Sequence, residues 1–129
     1  MKQRKKPALS IVIPTYNEGR YLPRLLASIK AQDFKDMEII VSDAPSKDNT
    51  QAIAGKFGCR IVTPSSLPSI ARNMGAKVAK AGTILFVDAD NILPKGFLTA
   101  LIRNFSKGGY VCASVFYKPL SSNIFDIFS

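Results

Sequence analysis

No histidine occurs anywhere in the 129 residues, which excludes histidine general bases and histidine metal ligands within this chain. No two glycines stand in G-x-G spacing, and no Gly-Lys-Ser or Gly-Lys-Thr run occurs, so neither a dinucleotide fingerprint nor a Walker-type loop is present. Any bound phosphates must then be held by side chains and metal. Long apolar runs are missing too: no stretch approaches the ~18 residues of a membrane span. The start, with Lys2, Arg4, Lys5 and Lys6 ahead of Leu9 and Ile11 to Ile13, is too short in apolar residues for a signal-peptide core and meets Pro14. Acids are scarce, 9 against 18 basic residues, and the net charge of +9 points to an anionic partner: nucleotide, phospholipid surface or nucleic acid. Cysteine is limited to Cys59 and Cys112, each isolated in an apolar run. That usage reads as two buried free thiols in a reducing, cytoplasmic compartment rather than a disulfide.

What is present is a regular alternation. An apolar content of 47% with 21% charged residues fits a globular chain large enough for one domain with a real core. Leu9 to Ile13 reads as a first strand closed by Pro14. Leu22, Leu25, Leu26 and Ile29 recur at helical spacing, with Pro23 near the first turn. Met37 to Val41 reads as a second strand ending in Ser42-Asp43. Asp48 and Gln51 look like a helix-start capping pair, with Ile53 and Phe57 on the buried face and Gly58 at the helix end. Arg60 to Thr63 is a short third strand. Ile70, Met74 and Val78 fall on one helix face, with Arg72 and Asn73 turned away. Thr83 to Val87 is a fourth strand, and Phe97, Leu98, Leu101, Ile102 and Phe105 form the buried face of a helix stopped by Gly108-Gly109. Tyr110 to Tyr117 is a fifth strand, and Ser121 to Ser129 begins a further helix. Strands alternating with helices predict an α/β fold, with a mainly parallel sheet, helices on both faces and right-handed crossovers. The expected organisation is a basic arm over 1–8, a domain over 9–118 and an apolar tail over 119–129. That tail either closes the sheet's open side or begins a continuation of the chain.

The chemistry concentrates after the strands. Ile84 to Val87 is an apolar run buried on both faces, and it leads directly into Asp88-Ala89-Asp90. Carboxylates are costly inside such a strand, so they belong just past its end, where open α/β sheets bind ligands. Alone, the two acids read more readily as a surface turn. Tyr16, Asn17 and Glu18 follow the first strand, however, and Asp43 follows the second. Parallel strands would bring all of them to one sheet edge. There Tyr16 can stack on a base, Asp43 can accept hydrogen bonds from base or ribose, and Arg72 can offer its fork of donors to a phosphate. Asp90 can hold a hard cation that neutralises a diphosphate.

In order, the chain carries Ile11-Val12-Ile13-Pro14-Thr15-Tyr16-Asn17-Glu18, then Ile39-Ile40-Val41-Ser42-Asp43 with Ser46, Asp48 and Thr50. Ala71-Arg72-Asn73-x-Gly75 and Asp88-Ala89-Asp90 follow. With these motifs, roughly residues 8–106 resemble the nucleotide-binding half of a family 2 glycosyltransferase of the GT-A fold. The resemblance implies a Rossmann-like sheet of order 3-2-1-4 plus a later strand. It also implies inverting transfer of a sugar from a nucleotide-diphospho-sugar, with Mn2+ or Mg2+. Carried over by position, it implies that Pro14, Tyr16 and Glu18 line the base and ribose pocket and that Asp43 contacts the base, uracil or guanine. Arg72 would lie near the diphosphate, Asp88 would face the ribose or sugar beside the metal, and Asp90 would ligate the metal. Ser42 stands where relatives often carry another Asp, and Ala44-Pro45 replaces a Gly-containing turn.

Such enzymes usually carry an acceptor half after the Asp-x-Asp element, with a carboxylate general base and often a Gln-x-x-Arg-Trp segment. Past Asp90 the chain has one acid, Asp126, and no tryptophan, so no general base is assigned. A polyprenyl phosphate acceptor would need none, since its oxyanion is already nucleophilic. The basic arm and apolar tail suit such an acceptor and contact with the cytoplasmic face of a membrane. Other readings are a non-catalytic or truncated nucleotide-sugar-binding domain, a haloacid-dehalogenase-type phosphatase and a nucleic-acid-binding module. The late position of Asp88-Ala89-Asp90 disfavours the phosphatase. The lack of aromatics between basic residues disfavours nucleic acid as a partner.

Overall fold

The central strands form where the sequence is apolar on consecutive positions, because they are covered on both faces, and a partly covered third strand pairs at the edge. In the computed structural model, which describes residues 5–64, 68–108, 112–116 and 126–127, the first four strands are β1 (Leu9–Thr15), β2 (Met37–Asp43), β3 (Arg60–Val62) and β4 (Ile84–Phe86). Between and after them run α1 (Leu22–Lys30), α2 (Thr50–Lys56), α3 (Pro68–Val78), α4 (Phe97–Gly108), β5 (Cys112–Phe116) and β6 (Asp126–Ile127). The sheet order is β3-β2-β1-β4-β5-β6, as expected for the first four strands plus a later one. The first five strands are parallel, and β6 pairs antiparallel with β5.

The two faces of the sheet are distinct. Leu9, Ile11 and Ile13 of β1 share one face with Ile39, Val41 and Leu85, and all are buried against α1, α2 and α4. Leu22, Leu25, Leu26 and Ile29 supply the α1 side of that core, as their spacing predicts. Val12 and Ile40 point the other way, toward α3. Helices therefore lie on both faces.

Several boundaries differ from expectation for identifiable reasons. Pro14 does not end β1, because Pro14 pairs in register with Ser42 and Thr15 with Asp43. Even-numbered residues of β1 turn their backbone toward β4: Ser10 N–H donates to Thr83, and Val12 accepts from Val87. The β1–β4 register ends at Val12–Phe86, so the N–H that Pro14 lacks is not needed there. By the same pairing, β2 runs through Ser42 and Asp43, so Asp43 closes the strand instead of following it. Within the segment expected to begin a helix over 121–129, Asp126–Ile127 forms a strand instead. Its backbone satisfies the free edge of β5 through Val115–Ile127 and Phe116–Asp126. The rest of that segment lies outside the described residues.

The buried face of α3 is also a correction. Ile70 and Met74 are each 37% exposed, while Ala71 and Gly75 are buried. The cause is close approach: a Cβ on Gly75 would fall well inside van der Waals contact with Val12 Cγ1. The small face of α3 lies directly on β1, which turns the larger apolar residues outward. Val12 is fully buried and stiff at χ1. Gly75→Ala is therefore expected to cost about 1–3 kcal/mol through overpacking, read as a lower urea midpoint with an unchanged slope.

The end of α1 is fixed to the segment that follows Asp90. Buried Gln32 donates from Nε2 to the Pro94 carbonyl (2.9 Å) and accepts from the Leu98 N–H at Oε1 (3.1 Å). Ser28 Oγ accepts from the Leu93 N–H (2.9 Å). Cys59 is free as expected, but half-buried rather than fully buried, and burial pushes its thiol up to about 11. The side chain of Cys112 lies outside the described residues.

Candidate functional site

The site grows from two loops at the carboxyl ends of β1 and β2. Asp43 closes β2 beside Thr15 and is completely buried. Its Oδ1 accepts from Thr15 Oγ1 (2.7 Å) and Ser46 Oγ (2.5 Å). Its Oδ2 accepts from the Ser46 N–H (3.0 Å) and Gln51 Nε2 (2.8 Å). Gln51 therefore serves Asp43 and does not form the expected capping pair with Asp48. The residue at the helix start is Asn49, without a side-chain cap bond. Asp48 instead accepts at Oδ1 from the Thr50 N–H (3.0 Å) and the Thr50 hydroxyl, and at Oδ2 from the Gly19 N–H (3.0 Å). These bonds, the Thr50 hydroxyl foremost, hold the Asp48 carboxyl below its ordinary value. The buried residues of α2 are Thr50 and Ala54, with Ile53 and Phe57 only partly covered.

The two loops are then clasped side by side. Asn17 adopts a positive φ of 52°, donates its N–H to Ser46 Oγ (2.8 Å) and accepts from the Lys47 N–H at Oδ1 (2.9 Å). The Glu18 N–H donates to Thr50 Oγ1 (3.0 Å). Asparagine tolerates the left-handed region and bonds locally. Held in this way, the loop presents Tyr16, 55% exposed, at the sheet edge.

Past β4 the chain supplies the acids. Asp88 and Asp90 are exposed, while Ala89 between them is buried. Arg72 of α3 donates to Asp88 Oδ1 at 3.0 Å, with both side chains about half exposed. A pair so open to water contributes about 0–1 kcal/mol and exchanges readily for another anion. Asp90 has neither a hydrogen bond nor an ion pair from its carboxylate among the described residues.

Pro14, Tyr16, Glu18, Arg72, Asp88 and Asp90 line one cavity of about 340 Å³. That size falls within the range of small-molecule sites. Thr15, Ala44, Ala71 and Ala89 complete the wall. Of these, Ala44 belongs to the Ala44-Pro45 departure expected to shape the pocket wall. Thr15, Ala71 and Ala89 have no role assigned by sequence reasoning, and their signal is small size next to each functional residue, which leaves room for a ligand. Asp43 does not open onto the cavity. It stands behind the wall and fixes Thr15 and the turn at Ser46.

The cavity is electrically uncompensated on its acidic side. Burial, followed by the negative fields of Asp90, Asp88 and Asp48, holds the Glu18 carboxyl above its ordinary value. A carboxyl raised on folding favours the native state while protonated, and that contribution is lost as pH rises through the raised pKa. Glu18→Gln is therefore expected to raise stability at neutral pH and to flatten the change between mildly acidic and neutral pH. Urea midpoints at the two conditions measure this. No three His, Cys, Asp or Glu side chains among the described residues form a metal site by themselves. Asp88 and Asp90 do fit a hard, oxygen-seeking cation that keeps waters and takes further oxygens from a bound phosphate.

The chain belongs to the glycosyl transferase family 2, whose family model matches residues 10–126. The GalNAc(5)-diNAcBac-PP-undecaprenol beta-1,3-glucosyltransferase of Campylobacter jejuni is 34% identical over 110 residues, covering 79% of this chain and 36% of that protein. The poly(ribitol-phosphate) beta-N-acetylglucosaminyltransferase TarS of Staphylococcus aureus is 35% identical over 95 residues, covering 67% of this chain and 17% of TarS. The crystal structure of TarS 1–349 in complex with UDP-GlcNAc matches at a TM-score of 0.72 with 30% identity, over 77% of this chain and 31% of that one. The mannosyltransferase PcManGT from Pyrobaculum calidifontis, in complex with GDP-Man and Mn2+, shares the fold at a TM-score of 0.60 and 23% identity, over 70% of this chain and 29% of that one. The chain thus spans about a third or less of the length of these relatives.

Proposed function

We propose that the cavity at the carboxyl edge binds a nucleotide-diphospho-sugar and that the chain supplies the donor-binding part of an inverting, metal-dependent sugar transfer. The observation that carries this reading is the convergence of an exposed aromatic ring, an arginine fork paired with Asp88 and the exposed Asp90 carboxylate on one cavity. Tyr16 offers its ring to the base, with Pro14 and Glu18 beside it. Arg72 exchanges Asp88 for an oxygen of the diphosphate, and Asp88, once released, turns to the ribose or sugar. Mn2+ or Mg2+ held by Asp90, with Asp88 beside it, would supply Lewis-acid neutralisation of the leaving diphosphate. Asp43 shapes the pocket wall, and contact with the base would require it to exchange one of its four hydrogen bonds. TarS, at 30% identity, is bound to UDP-GlcNAc, which makes uridine the first base to test.

The acceptor is a polyprenyl phosphate, whose oxyanion needs no general base, or a lipid-linked glycan. Calorimetric titration with UDP-GlcNAc, UDP-glucose and GDP-mannose, with and without Mn2+, tests donor binding. Heat with a uridine donor that grows with metal supports the reading; no binding of any donor removes it. Release of nucleoside diphosphate on adding each acceptor separates an active enzyme from a donor-binding domain.

A further inference from the structure

Cations occur at both ends of the parallel sheet, Arg72 and Lys47 among them at the carboxyl end, but the acids cluster there. Glu18, Asp43, Asp48, Asp88 and Asp90 gather at the carboxyl edge, whereas the amino edge is basic. Two shallow grooves adjoin there and share Met37 and Glu38. One holds Lys30, Lys35 and Arg60, and the other Lys5, Lys6 and Lys80. All six cations are exposed, and among the described residues none enters an ion pair. The acids that line the grooves are Asp36 and Glu38, and Asp33 is exposed two residues before Lys35. Glu38 is already committed, since its Oε2 accepts from Ser10 Oγ and from the Lys80 N–H, both at 2.6 Å. Two of the cations are held at the rim by backbone carbonyls: Lys35 Nζ donates to Lys30 (2.5 Å) and Arg60 donates to Val78 (2.9 Å).

We propose that this amino edge is a docking surface for an anionic phospholipid membrane. Five of the six cations are lysines, compact point charges suited to a field of phosphates rather than to paired recognition of one group. They come from separate segments brought to one edge by the fold, so the surface belongs to the folded domain and extends well beyond the basic arm. No aromatic side chain lines either groove, so the stacking platform that single-stranded nucleic acid needs is missing. Attraction of this kind accumulates by charge and fades beyond a Debye length. The proposal is independent of what the cavity at the other edge binds.

The test is co-sedimentation of the full chain with vesicles of phosphatidylcholine alone, or of equal parts phosphatidylcholine and phosphatidylglycerol. Binding is expected to the anionic vesicles only and to weaken with salt. Lys35→Gln with Lys80→Gln should lower it roughly tenfold or more. Lys47→Gln with Lys95→Gln removes the same charge away from the two grooves and should lower it far less. Unchanged urea midpoints keep unfolding out of the comparison. Equal binding to both vesicle types overturns the proposal, and so do equal losses from the two pairs. Tighter binding to a random oligonucleotide, governed by Lys35 and Lys80, overturns it in favour of nucleic acid.

Discussion

Replacing Asp90 with alanine is expected to remove cation-dependent donor binding while leaving the fold intact. The carboxylate is exposed and makes no bond that the protein would miss, so stability should stay within about 0.5 kcal/mol of the parent. On the proposed assignment its loss removes a ligand itself, and so should exceed the roughly 10–100-fold effect on metal affinity that changes in outer-shell partners produce. Asp88→Ala should be milder in this respect, because Asp88 begins half-neutralised by Arg72. The measurement is titration of the UDP-sugar at fixed Mn2+ for each variant. If Asp90→Ala binds donor and metal like the parent, the cation assignment is wrong.

Asp43→Ala should be the most destabilising of the site substitutions, by about 3 kcal/mol. It leaves the Thr15 hydroxyl, the Ser46 N–H and hydroxyl and the Gln51 amide without their acceptor, at a position with no exposure. An unsatisfied buried group costs about 1–3 kcal/mol, and partial relaxation of the two hydroxyls and the amide offsets some of the sum. Asp43→Asn should not restore the parent. It keeps one acceptor oxygen but sets an NH2 against donors on the other side. Donor affinity should fall with stability in both variants, since the same network sets the loop that carries Tyr16 and Glu18. Urea unfolding of the three proteins tests this, and a loss under about 1 kcal/mol for Asp43→Ala would mean the network is not what holds the loops.

The strand order came from the resemblance to the family, whereas the alternation and the shared edge were legible because an uninterrupted apolar run ending in polar residues, as in β1 and β2, marks both a strand and its direction. The same logic brought Tyr16, Glu18, Asp88 and Asp90 to one cavity. Other features escaped a linear reading for physical reasons. On α3, periodicity favoured Ile70, Met74 and Val78 as the buried face. The separation between helix and sheet is set by Gly75, however, and depends on Val12, a residue far away in the chain. The clasp between Asn17, Ser46, Asp48 and Thr50 joins residues about thirty positions apart, so nothing local marks it. Asp48 looked like a helix cap because the same oxygens that cap a helix also serve a neighbouring loop. At Asp126–Ile127, closely spaced apolar residues suit helix and strand alike, and the free edge of β5 decides between them.

Parallel strands give this molecule a polarity that sets what it can reach. β1 spans seven residues, roughly 20 Å at the usual rise per residue, from the lysine-rich end to the cavity at the carboxyl edge. A protein seated on a bilayer by that end holds its mouth outward like the lamp of a lighthouse. On that seating the cavity stands clear of the headgroups, so of the two proposed acceptors the lipid-linked glycan is the one to test first.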